Sequence, residues 1–552
     1  MQKRTYPILH FLFVTGAVLL LFYAIFHFKY RIEYDKMAGD NIWQSASTIK
    51  YVNMWLEDGP SLLHFTNYEN YDSIEFNTLD ERSPFVSYPD NNTLIVYLPA
   101  KLLGRTEIDI SFLKHFQMIL FAIEAVLVSW LLLLILYENG YRHKAGLFLA
   151  PVAGAGLWCL FPVNAYYLSN VFFADQSVLI FVTAFLFLDY LLHTDGLSKT
   201  ARRVFYVLHF LVIVGGMMTD YFFWLLAFFV AIFRFCNVWI REKKISAACL
   251  HFLHYAVPVA VSLLLFLWQL SYTSRWKTLL LYKLHFRTRE YDDKSWIYGR
   301  LLENVTSGFT QEERSFFIYY LLLLFGTLVA AFLYLLRKKD LKKIFTNNCA
   351  ALLLATYIAI AFQLFLLKNH SAVHEFSMMK VSFVFITSIF VMGFVWSKVV
   401  KTGGAISVGS KAVSPFSFFF VIAYVIVFLI TGVPSSTSHY WVTRDNEQDY
   451  TLAHILREHT TYEDVCFSLT YEIPEMPPND LTISHKRIYL INSISEIDGY
   501  FPHLRPEAKK LLVIEKHPWS ALEEHPITIE IDYSLGTVRY EDDDYCILEL
   551  HG

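Results

Sequence analysis

Long apolar runs recur along the chain, and they restrict its fold more than any other feature does. A backbone inside a bilayer has no water to hydrogen-bond with, so a run that crosses the bilayer must be helical. Spans of about 20 residues fit a hydrocarbon core about 30 Å thick, and we count about eleven candidates. They are Pro7–Phe28, Leu113–Tyr137, Ala145–Phe161, Gln176–Leu192, Val204–Met218, Tyr221–Phe235, Cys249–Leu270, Ser315–Leu336, Ala350–Leu367, Phe376–Trp396 and Pro415–Val433. With 55% hydrophobic and 17% charged residues, the composition also predicts a polytopic α-helical membrane protein.

Basic residues predict the orientation of these spans. Lys3 and Arg4 precede the first run, and the positive-inside rule keeps such a terminus in the cytoplasm. No small-residue cleavage site follows this run, so we expect a retained anchor and not a cleaved signal peptide. When Val204–Phe235 forms two short spans with Asp220 in a tight outer turn, the later Lys/Arg clusters all fall on one side. We therefore predict a multi-pass protein of the cytoplasmic (plasma) membrane with its N-terminus inside.

The same alternation places three long segments on the outer side, namely the loops 29–112 and 271–314 and the tail from Pro434. We predict a membrane module over residues 1–433 and an extracytoplasmic domain over residues 434–552. Helical and strand-like patterns alternate in the tail, which predicts a small α/β domain. Its predicted elements are a helix at Tyr450–His459 and strands at Val465–Leu469, Arg487–Ile491, Leu511–Ile514, Thr528–Tyr533 and Tyr545–Leu550. A disulfide between Cys466 and Cys546 is an open option in an oxidising compartment.

The first outer loop carries acidic residues close to the membrane. Asp40 and Asn41 follow the first span, and Tyr88-Pro89-Asp90 precedes an apolar stretch suited to the membrane interface. A carboxylate in this place could act as a general base towards a hydroxyl or amine, or could hold a divalent cation against phosphate. It could also be a solvated loop acid. No cofactor is certain, and the sequence lacks a phosphate-binding glycine loop, which argues against an ATP-driven pump.

Basic residues in the second outer loop are candidates for binding phosphate. Lys283 and Arg287 are four residues apart, so a helix would place them on one face. Together they could clamp a phosphodiester or diphosphate head, for which the planar fork of arginine is well suited. The alternative is ordinary contact with lipid headgroups.

Ionisable residues also cluster at the predicted outer helix ends. His374 and Glu375 precede the tenth span, where a histidine that titrates near neutrality could relay a proton or stabilise a departing phosphate. His374 could equally anchor a helix end. Lys380 lies one turn deeper, and a lysine inside a span requires a partner or a wet cavity. Asp175 and Asp220 are candidate substrate contacts, with helix capping as the alternative.

This pattern resembles the GT-C glycosyltransferases, and most closely their protein-mannosyltransferase-like and aminoarabinose-transferase-like group. The resemblance rests on an acidic residue after the first span, a Tyr-Pro element before an apolar helix that ends in Leu-Leu-Gly, and many spans followed by an outer domain. It implies that Asp40 is the acidic base or cation contact and that Tyr88 belongs to the Lys-Pro-Pro or Tyr-Pro-Pro element. Asn41 replaces a frequent Glu, and Lys114 stands where Arg is usual.

The resemblance implies an integral membrane glycosyltransferase that moves a hexosyl or pentosyl group from a polyprenyl-phosphate donor. The acceptor would be a glycan, a lipid or a protein on the extracytoplasmic face. In an inverting displacement, Asp40 would activate the acceptor, while Lys283 and Arg287 would offset the charge that grows on the departing lipid phosphate. Membrane lipids are further expected partners, and the sequence does not indicate nucleic acid.

A transporter or flippase for a lipid-linked sugar or another solute is the main alternative. It would share the spans, the intramembrane Glu124 and Lys380, and the basic outer loop. Many transporters have repeat halves and paired broken helices, and neither is visible in the sequence. A receptor or assembly factor is a third option, which explains the outer tail but not the charges at the helix ends.

Overall fold

The computed structural model describes most of the chain. The described residues are 8–34, 41–68, 84–138, 144–194, 196–273, 276–289, 294–305, 311–388, 451–461, 464–469, 484, 487–491, 493–504, 506–517, 519–520, 525–526 and 528–551. Asp40 and the predicted last span Pro415–Val433 lie outside these ranges, as does the predicted boundary at residue 433. The division into residues 1–433 and 434–552 therefore remains a prediction.

Helices make up nearly all of the described chain before residue 389, and two short helices lie in its C-terminal part. They are α1 (Ile8–Tyr23), α2 (Trp43–Asp58), α3 (Asn91–Leu102), α4 (Ile110–Glu138), α5 (Lys144–Leu160), α6 (Pro162–Asn170), α7 (Ala174–Leu192), α8 (Lys199–Met217), α9 (Tyr221–Glu242), α10 (Ile245–Leu270), α11 (Trp276–Arg289), α12 (Lys294–Val305), α13 (Gln311–Arg337), α14 (Lys342–Thr346), α15 (Asn348–Leu366), α16 (Lys368–Val373), α17 (379–388), α18 (Thr451–His459) and α19 (Ile497–Tyr500). A π-helical turn, Ala24–Lys29, extends α1, and a 3-10 turn, Glu375–Met378, precedes α17. The strands are β1 (Val465–Leu469), β2 (Arg487–Ile491), β3 (Lys510–Glu515), β4 (Trp519–Ser520), β5 (His525–Pro526), β6 (Gly536–Glu541) and β7 (Tyr545–Leu550).

Seven helices within the described ranges are long and apolar enough to cross a membrane. They are Ile8–Lys29, Ile110–Glu138, Ala174–Leu192, Lys199–Met217, Tyr221–Glu242, Ile245–Leu270 and Asn348–Leu366. The consecutive helices Gly146–Leu160 and Pro162–Asn170 pass the same test together and are bent by 69°. The predicted class, a multi-pass helical membrane protein with a C-terminal α/β domain, is confirmed.

Helix breaks accompany two of the predicted apolar runs. The run Ala145–Phe161 corresponds to α5 to within one residue at each end, and Pro162 starts a new helix directly after it. Proline cannot continue the hydrogen bonding of α5, and its fixed φ fits the first position of a helix. The run Val204–Phe235 forms two helices as predicted, with Asp220 in the turn between them, and the break follows the Gly215-Gly216 pair.

Close packing explains Gly215 and Gly216. A Cβ atom at Gly215 would lie 2.4 Å from the ring of Phe181 on α7, and one at Gly216 would lie 2.4 Å from the ring of Phe223 on α9. Neither position can accept a methyl group unless the phenyl ring of a neighbouring helix moves. Small residues let helices in a membrane approach closely, and this pair lets α8 pack against both of its neighbours.

The chain forms two compact units. The first unit comprises Met1–Glu33, Lys114–Leu265 and Lys283–Asp445. The second unit comprises Tyr34–Leu113, Phe266–Tyr282 and Asn446–Gly552. The core of the first unit consists of apolar side chains from its helices, and the second unit contains α2, α3 and the C-terminal sheet.

A buried ion pair joins α7 to α9 in the first unit. Asp189 lies near the C-terminal end of α7, and its Oδ2 accepts a hydrogen bond from Arg234 Nε at 2.9 Å. Its Oδ1 accepts another from the Tyr255 hydroxyl of α10 at 2.5 Å. Nδ1 of His193 and Nε2 of His209 lie 3.7 Å and 4.0 Å from the same carboxylate. A buried charge is tolerated only when it is well paired, so this network ties the four helices α7 to α10 together.

Polar contacts hold the start of the second unit. Nδ2 of Asn53 on α2 donates to the Ile108 carbonyl at 3.1 Å, and the Ile108 N–H donates to Asn53 Oδ1 at 2.7 Å. Nε2 of Gln269 donates to the Phe65 carbonyl at 2.8 Å. The Phe65 ring also packs edge-on against Trp55, with centroids 5.8 Å apart. These contacts fix the chain that follows α2.

The C-terminal part of the second unit contains a five-stranded mixed sheet with the order β2-β1-β3-β7-β6. β1 is parallel to β2 and β3, whereas β7 is antiparallel to β3 and β6. Leu452, Ile455 and Leu456 of α18 pack on one face of this sheet. The predicted strands at residues 465–469, 487–491 and 545–550 coincide with β1, β2 and β7.

One predicted strand, Thr528–Tyr533, is wrong. Residues 528–532 have no regular structure, and a 3-10 turn, Tyr533–Leu535, follows them. The Asp532 carboxylate accepts a hydrogen bond from the Ser534 N–H at 2.9 Å, a local turn that aspartate favours. The strand starts only afterwards, with a glycine, because a Cβ atom there would lie 2.3 Å from a carbonyl oxygen of β7.

The open option of a disulfide between Cys466 and Cys546 is not realised. All six cysteines are free. Cys466 lies on β1 and Cys546 on β7, and β3 lies between these strands. Two strand spacings amount to about 10 Å, which is too far for a disulfide.

We predict that Arg234→Gln destabilises the protein. The substitution leaves the buried Asp189 carboxylate without its main partner, and such losses cost roughly 3–5 kcal/mol. The melting temperature of the purified variant in detergent should fall clearly below that of wild type. Lys244→Gln, an exposed change just after the same helix, should leave it unchanged. Equal melting temperatures for Arg234→Gln and wild type would contradict the anchoring role.

Candidate functional site

Two helix starts in the first unit carry buried carboxylates. Asp175 lies in the first turn of α7, and Asp220 is the N-cap of α9. Oδ1 of Asp220 accepts a hydrogen bond from the Phe222 N–H at 2.9 Å, so the predicted alternative of a helix cap holds for this residue. The start of a helix favours negative charge, because its free N–H groups and its dipole are positive there. Local sequence therefore places two acids at stabilising positions.

Lys380 joins these two carboxylates. Its Nζ lies 2.6 Å from Asp175 Oδ1 and 2.6 Å from Asp220 Oδ2, and the Lys380 side chain is 1% exposed. The same Nζ lies 5.3 Å from the centroid of the Phe222 ring, within the range of a cation–π contact. A lysine inside a span requires partners, and Lys380 has two of them.

The end of α6 reaches Glu375. The Tyr167 hydroxyl donates to Glu375 Oε1 at 2.6 Å. Nε2 of Gln117 on α4 donates to the carbonyls of Tyr167 at 2.8 Å and of Val171 at 2.5 Å. The bend at Pro162 thus directs α6 towards Glu375, and Gln117 holds its last turn.

His370 and His374 form a buried pair at the end of α16. Their ring centroids are 4.7 Å apart, and His374 stacks on Phe376 with centroids 4.8 Å apart. Burial lowers the pKa of His374 to about 4 and the pKa of His370 well below its usual range. The positive charge of Arg287 lowers both pKa values further. Both lowered pKa values favour neutral imidazoles at pH 7, in contrast to the expectation that His374 titrates near neutrality.

Arg287 is a buried cation of the same region. It lies on α11 with 6% of its surface exposed, and its Cζ is 5.4 Å from the centroid of the Tyr221 ring. Since Tyr221 follows Asp220 directly, the guanidinium lies near the start of α9. Lys283 lies one turn earlier on α11 and is only half-buried. The predicted helical spacing of Lys283 and Arg287 is therefore present, and Arg287 is the more buried of the two.

Helix α12 holds α16 in place. Nδ2 of Asn304 donates to the carbonyl oxygens of Ser371 and Ala372, both at 2.9 Å. The last carbonyls of a helix have no partner within the helix itself. Asn304 supplies that partner, and it thereby fixes the segment that leads to His374.

The second unit contains its own buried polar cluster around Tyr88 and Asp90. These side chains are 5% and 3% exposed. Burial raises the pKa of Asp90 well above its usual range, although hydrogen bonds from Asn67 oppose the shift. Nδ2 of Asn67 donates to Thr93 Oγ1 at 2.8 Å, in the first turn of α3. The Tyr-Pro-Asp element is thus the buried start of α3.

The first unit brings together most of the predicted site residues. Those that lie close together are Asp175, Asp220, Arg287, His374, Glu375 and Lys380. Lys283 belongs to the same unit, whereas Tyr88 belongs to the second unit. Asp40 lies outside the described residues, so its predicted role stays a prediction.

Sequence reasoning missed the neutral residues that position this cluster, namely Gln117, Tyr167 and Asn304. A signal was available for Gln117, because an amide inside an apolar run requires a hydrogen-bonding partner. Tyr167 gave no such signal, since the chain has 35 tyrosines and the residue type alone distinguishes none of them. Asn304 lies in the predicted outer loop 271–314, where the sequence alone does not distinguish one amide from another.

A divalent cation would require several carboxylate, imidazole or thiolate ligands among the described residues. No set of three or more His, Cys, Asp or Glu side chains in that part of the chain is arranged to hold a metal ion. Asp40 lies outside the described residues, so the divalent cation suggested for it stays a prediction.

No protein-family model and no curated protein sequence matches the chain. Among solved structures, the chain is similar to ArnT from Cupriavidus metallidurans bound to undecaprenyl phosphate, with 12% identity, 97% of each chain covered and a TM-score of 0.46. It is also similar to the Archaeoglobus fulgidus oligosaccharyltransferase tethered with an acceptor peptide, with 11% identity, 92% of this chain and 69% of that chain covered and a TM-score of 0.47. AglB from the same organism, in complex with an inhibitory peptide and a dolichol-phosphate, has 11% identity, coverages of 86% and 64% and a TM-score of 0.46. These similarities concern the course of the chain and assign no role to a residue.

The cluster in the first unit combines carboxylates, imidazoles and the cationic side chains of Lys380 and Arg287 in a buried environment. Arg287 contributes a permanent positive charge, and His370 and His374 contribute neutral imidazoles that can donate or accept a hydrogen bond. Charges act strongly on one another where water is excluded. The arrangement is therefore chemically able to stabilise negative charge that develops on a bound group.

We predict that the protein loses stability as the pH falls from about 7 to about 5 and that His374 contributes to this loss. Its pKa is lowered from 6.5 to about 4 on folding, so the unfolded chain takes up the proton first. The stabilising contribution is complete above about pH 6.5 and is lost as the pH falls towards 4. Its size is roughly 1–3 kcal/mol.

The measurement is the melting temperature in detergent as a function of pH. His374→Gln should weaken the dependence between about pH 7 and pH 5, because glutamine does not titrate there. His115→Gln, which changes an exposed histidine, should keep the wild-type dependence. If His374→Gln also keeps it, the His374 imidazole is not held neutral by burial.

Proposed function

We propose that the protein is an integral membrane glycosyltransferase that moves a sugar from a polyprenyl-phosphate donor to an acceptor on the extracytoplasmic face. The observation that supports this best is the buried cluster of Asp175, Asp220, Arg287, His374 and Lys380 within a helical membrane unit. A lipid-linked donor reaches such a place through the bilayer, and its phosphate requires a cation that compensates its charge away from water.

In this proposal Arg287 binds the lipid phosphate. Its planar guanidinium can donate two parallel hydrogen bonds to phosphate oxygens. His370 and His374 are neutral at pH 7 and can donate further N–H bonds without adding charge. Negative charge grows on the bridging phosphate oxygen as the sugar leaves, and fixed donors stabilise that charge more than they stabilise the intact donor. Lys283, half-buried one turn away, compensates the outer part of the headgroup.

The acceptor requires a general base, and we assign this role to Asp40, as the resemblance to GT-C glycosyltransferases implies. The bond between the anomeric carbon and the phosphate oxygen breaks, while a bond forms from the acceptor oxygen or nitrogen to the same carbon. The acceptor proton passes to the carboxylate, and a single displacement inverts the carbon. Glu375, which accepts a hydrogen bond from Tyr167, is a second acid for proton transfer, and Tyr88 contacts the substrate.

The proposal also covers the transferred sugar, the acceptor, the orientation and the membrane. The transferred group is a hexose or a pentose, and the acceptor is a glycan, a lipid or a protein. The N-terminus lies in the cytoplasm, and the C-terminal α/β domain lies outside, on the side where the acceptor is met. The membrane is the cytoplasmic membrane.

Sugar transfer by the purified protein in nanodiscs tests the proposal, with a panel of radiolabelled polyprenyl-phosphate hexoses and pentoses as donors. Wild type should consume at least one donor. Arg287→Gln should lower kcat/KM roughly 10²–10³-fold, the range for the loss of one preorganised donor to a developing anion. Asp40→Asn should abolish transfer while the protein remains folded. Arg300→Gln removes an exposed arginine paired with Glu303 on α12, and it should retain wild-type activity.

Two outcomes would count against the proposal. Wild type that consumes no donor, but moves labelled lipid or solute across proteoliposomes, would be a transporter or flippase. Equal losses in Arg287→Gln and Arg300→Gln would mean that Arg287 has no specific role in binding the lipid phosphate.

A further inference from the structure

Asp175 and Asp220 form a pair of carboxylates of the kind that binds divalent cations, yet an ammonium group already lies between them. Mg²⁺ requires oxygen ligands at about 2.0–2.1 Å and Ca²⁺ at about 2.3–2.6 Å, and both ions favour carboxylates. Nζ of Lys380 lies 2.6 Å from one oxygen of each carboxylate. The atom that bridges the two acids is therefore a nitrogen of the chain itself.

Lys380 cannot share this position with a metal ion. Its side chain is 1% exposed, and its Nζ also faces the Phe222 ring at 5.3 Å. A divalent ion beside the ammonium group would place like charges together in a region that water does not screen. A metal could bind only if Lys380 left the site, which would leave a buried ammonium without its partners.

The carboxylates have no need of a second cation. Asp220 Oδ1 accepts a hydrogen bond from the Phe222 N–H, and Asp175 lies in the first turn of α7. Both helix starts contribute positive potential in addition to the charge of Lys380. The negative charge of the two acids is thus offset by groups of the chain itself, namely one ammonium group and two helix starts.

We propose that Lys380 is the resident cation of this carboxylate pair and that Asp175 and Asp220 hold no divalent metal. The catalytic meaning of the pair rests on the proposed function, in which Lys380 and the two helix starts together offset the charge of both acids beside the phosphate-binding Arg287. Asp40 is a different position, and the assignment does not extend to it. Lys380 is a positioning residue in this proposal, because it acts through the two carboxylates.

Binding of Mn²⁺ to the purified full-length protein, followed by electron paramagnetic resonance without any donor lipid, tests this assignment. All variants carry Asp40→Asn, which removes the other candidate cation contact. With Lys380 intact, the further change Asp175→Asn should leave Mn²⁺ binding unchanged. Lys380→Met frees the carboxylates and should create one Mn²⁺ site, at least about tenfold tighter than any binding before the change. The further change Asp175→Asn should remove that site.

A matched control is Lys277→Met, which removes an exposed lysine from α11 and should create no Mn²⁺ site. A site that exists with Lys380 intact and is lost in Asp175→Asn would overturn the proposal. A folded Lys380→Met variant that gains no site would overturn it as well. If Lys380→Met does not fold, Lys380→Gln is used in its place. The Asp175-dependence of Mn²⁺ binding with Lys380 intact tests the proposal in either case. Because binding requires no donor, failure of sugar transfer would leave this result unaffected.

Discussion

The contact of Lys380 with Asp175 and Asp220 is the interaction on which the first unit most depends. An unpaired charge inside a membrane protein costs several kcal/mol, so these three groups have to meet. Their hydrogen bonds of 2.6 Å bring the starts of α7 and α9 to the start of α17. Arg287 and His374 lie beside this junction, and the geometry of the candidate site therefore follows from the placement of one lysine.

A second ion pair links the same two helices farther along. Asp175 and Asp189 both lie on α7, and their separation of 14 positions corresponds to about 21 Å of helix. At the first position α7 and α9 are joined through Lys380, and at the second Asp189 contacts Arg234 directly. Helices tied at two levels resist sliding and rotation, which gives the side chains of the site a rigid support.

Sequence patterns succeeded where the deciding interaction is local. Strand-like patterns located β1, β2 and β7, and apolar length located most of the membrane helices. They failed where a single residue overrides the pattern. Asp532 forms a turn within a run that looks like a strand. This failure arises from backbone hydrogen bonding, to which a count of apolar residues is insensitive.

The sequence by itself determined the class of the protein and the positions of its charges, because apolar length, periodicity and the placement of acids at helix starts are properties of neighbouring residues. Only the tertiary structure decided which charges meet. Lys380 is separated by 205 residues from Asp175 and by 160 from Asp220, and Tyr167 by 208 from Glu375. The neutral state of His374 likewise depends on burial by distant parts of the chain. In a dry interior, a polar group pairs with whatever folding brings within about 3 Å, and no local pattern records that choice.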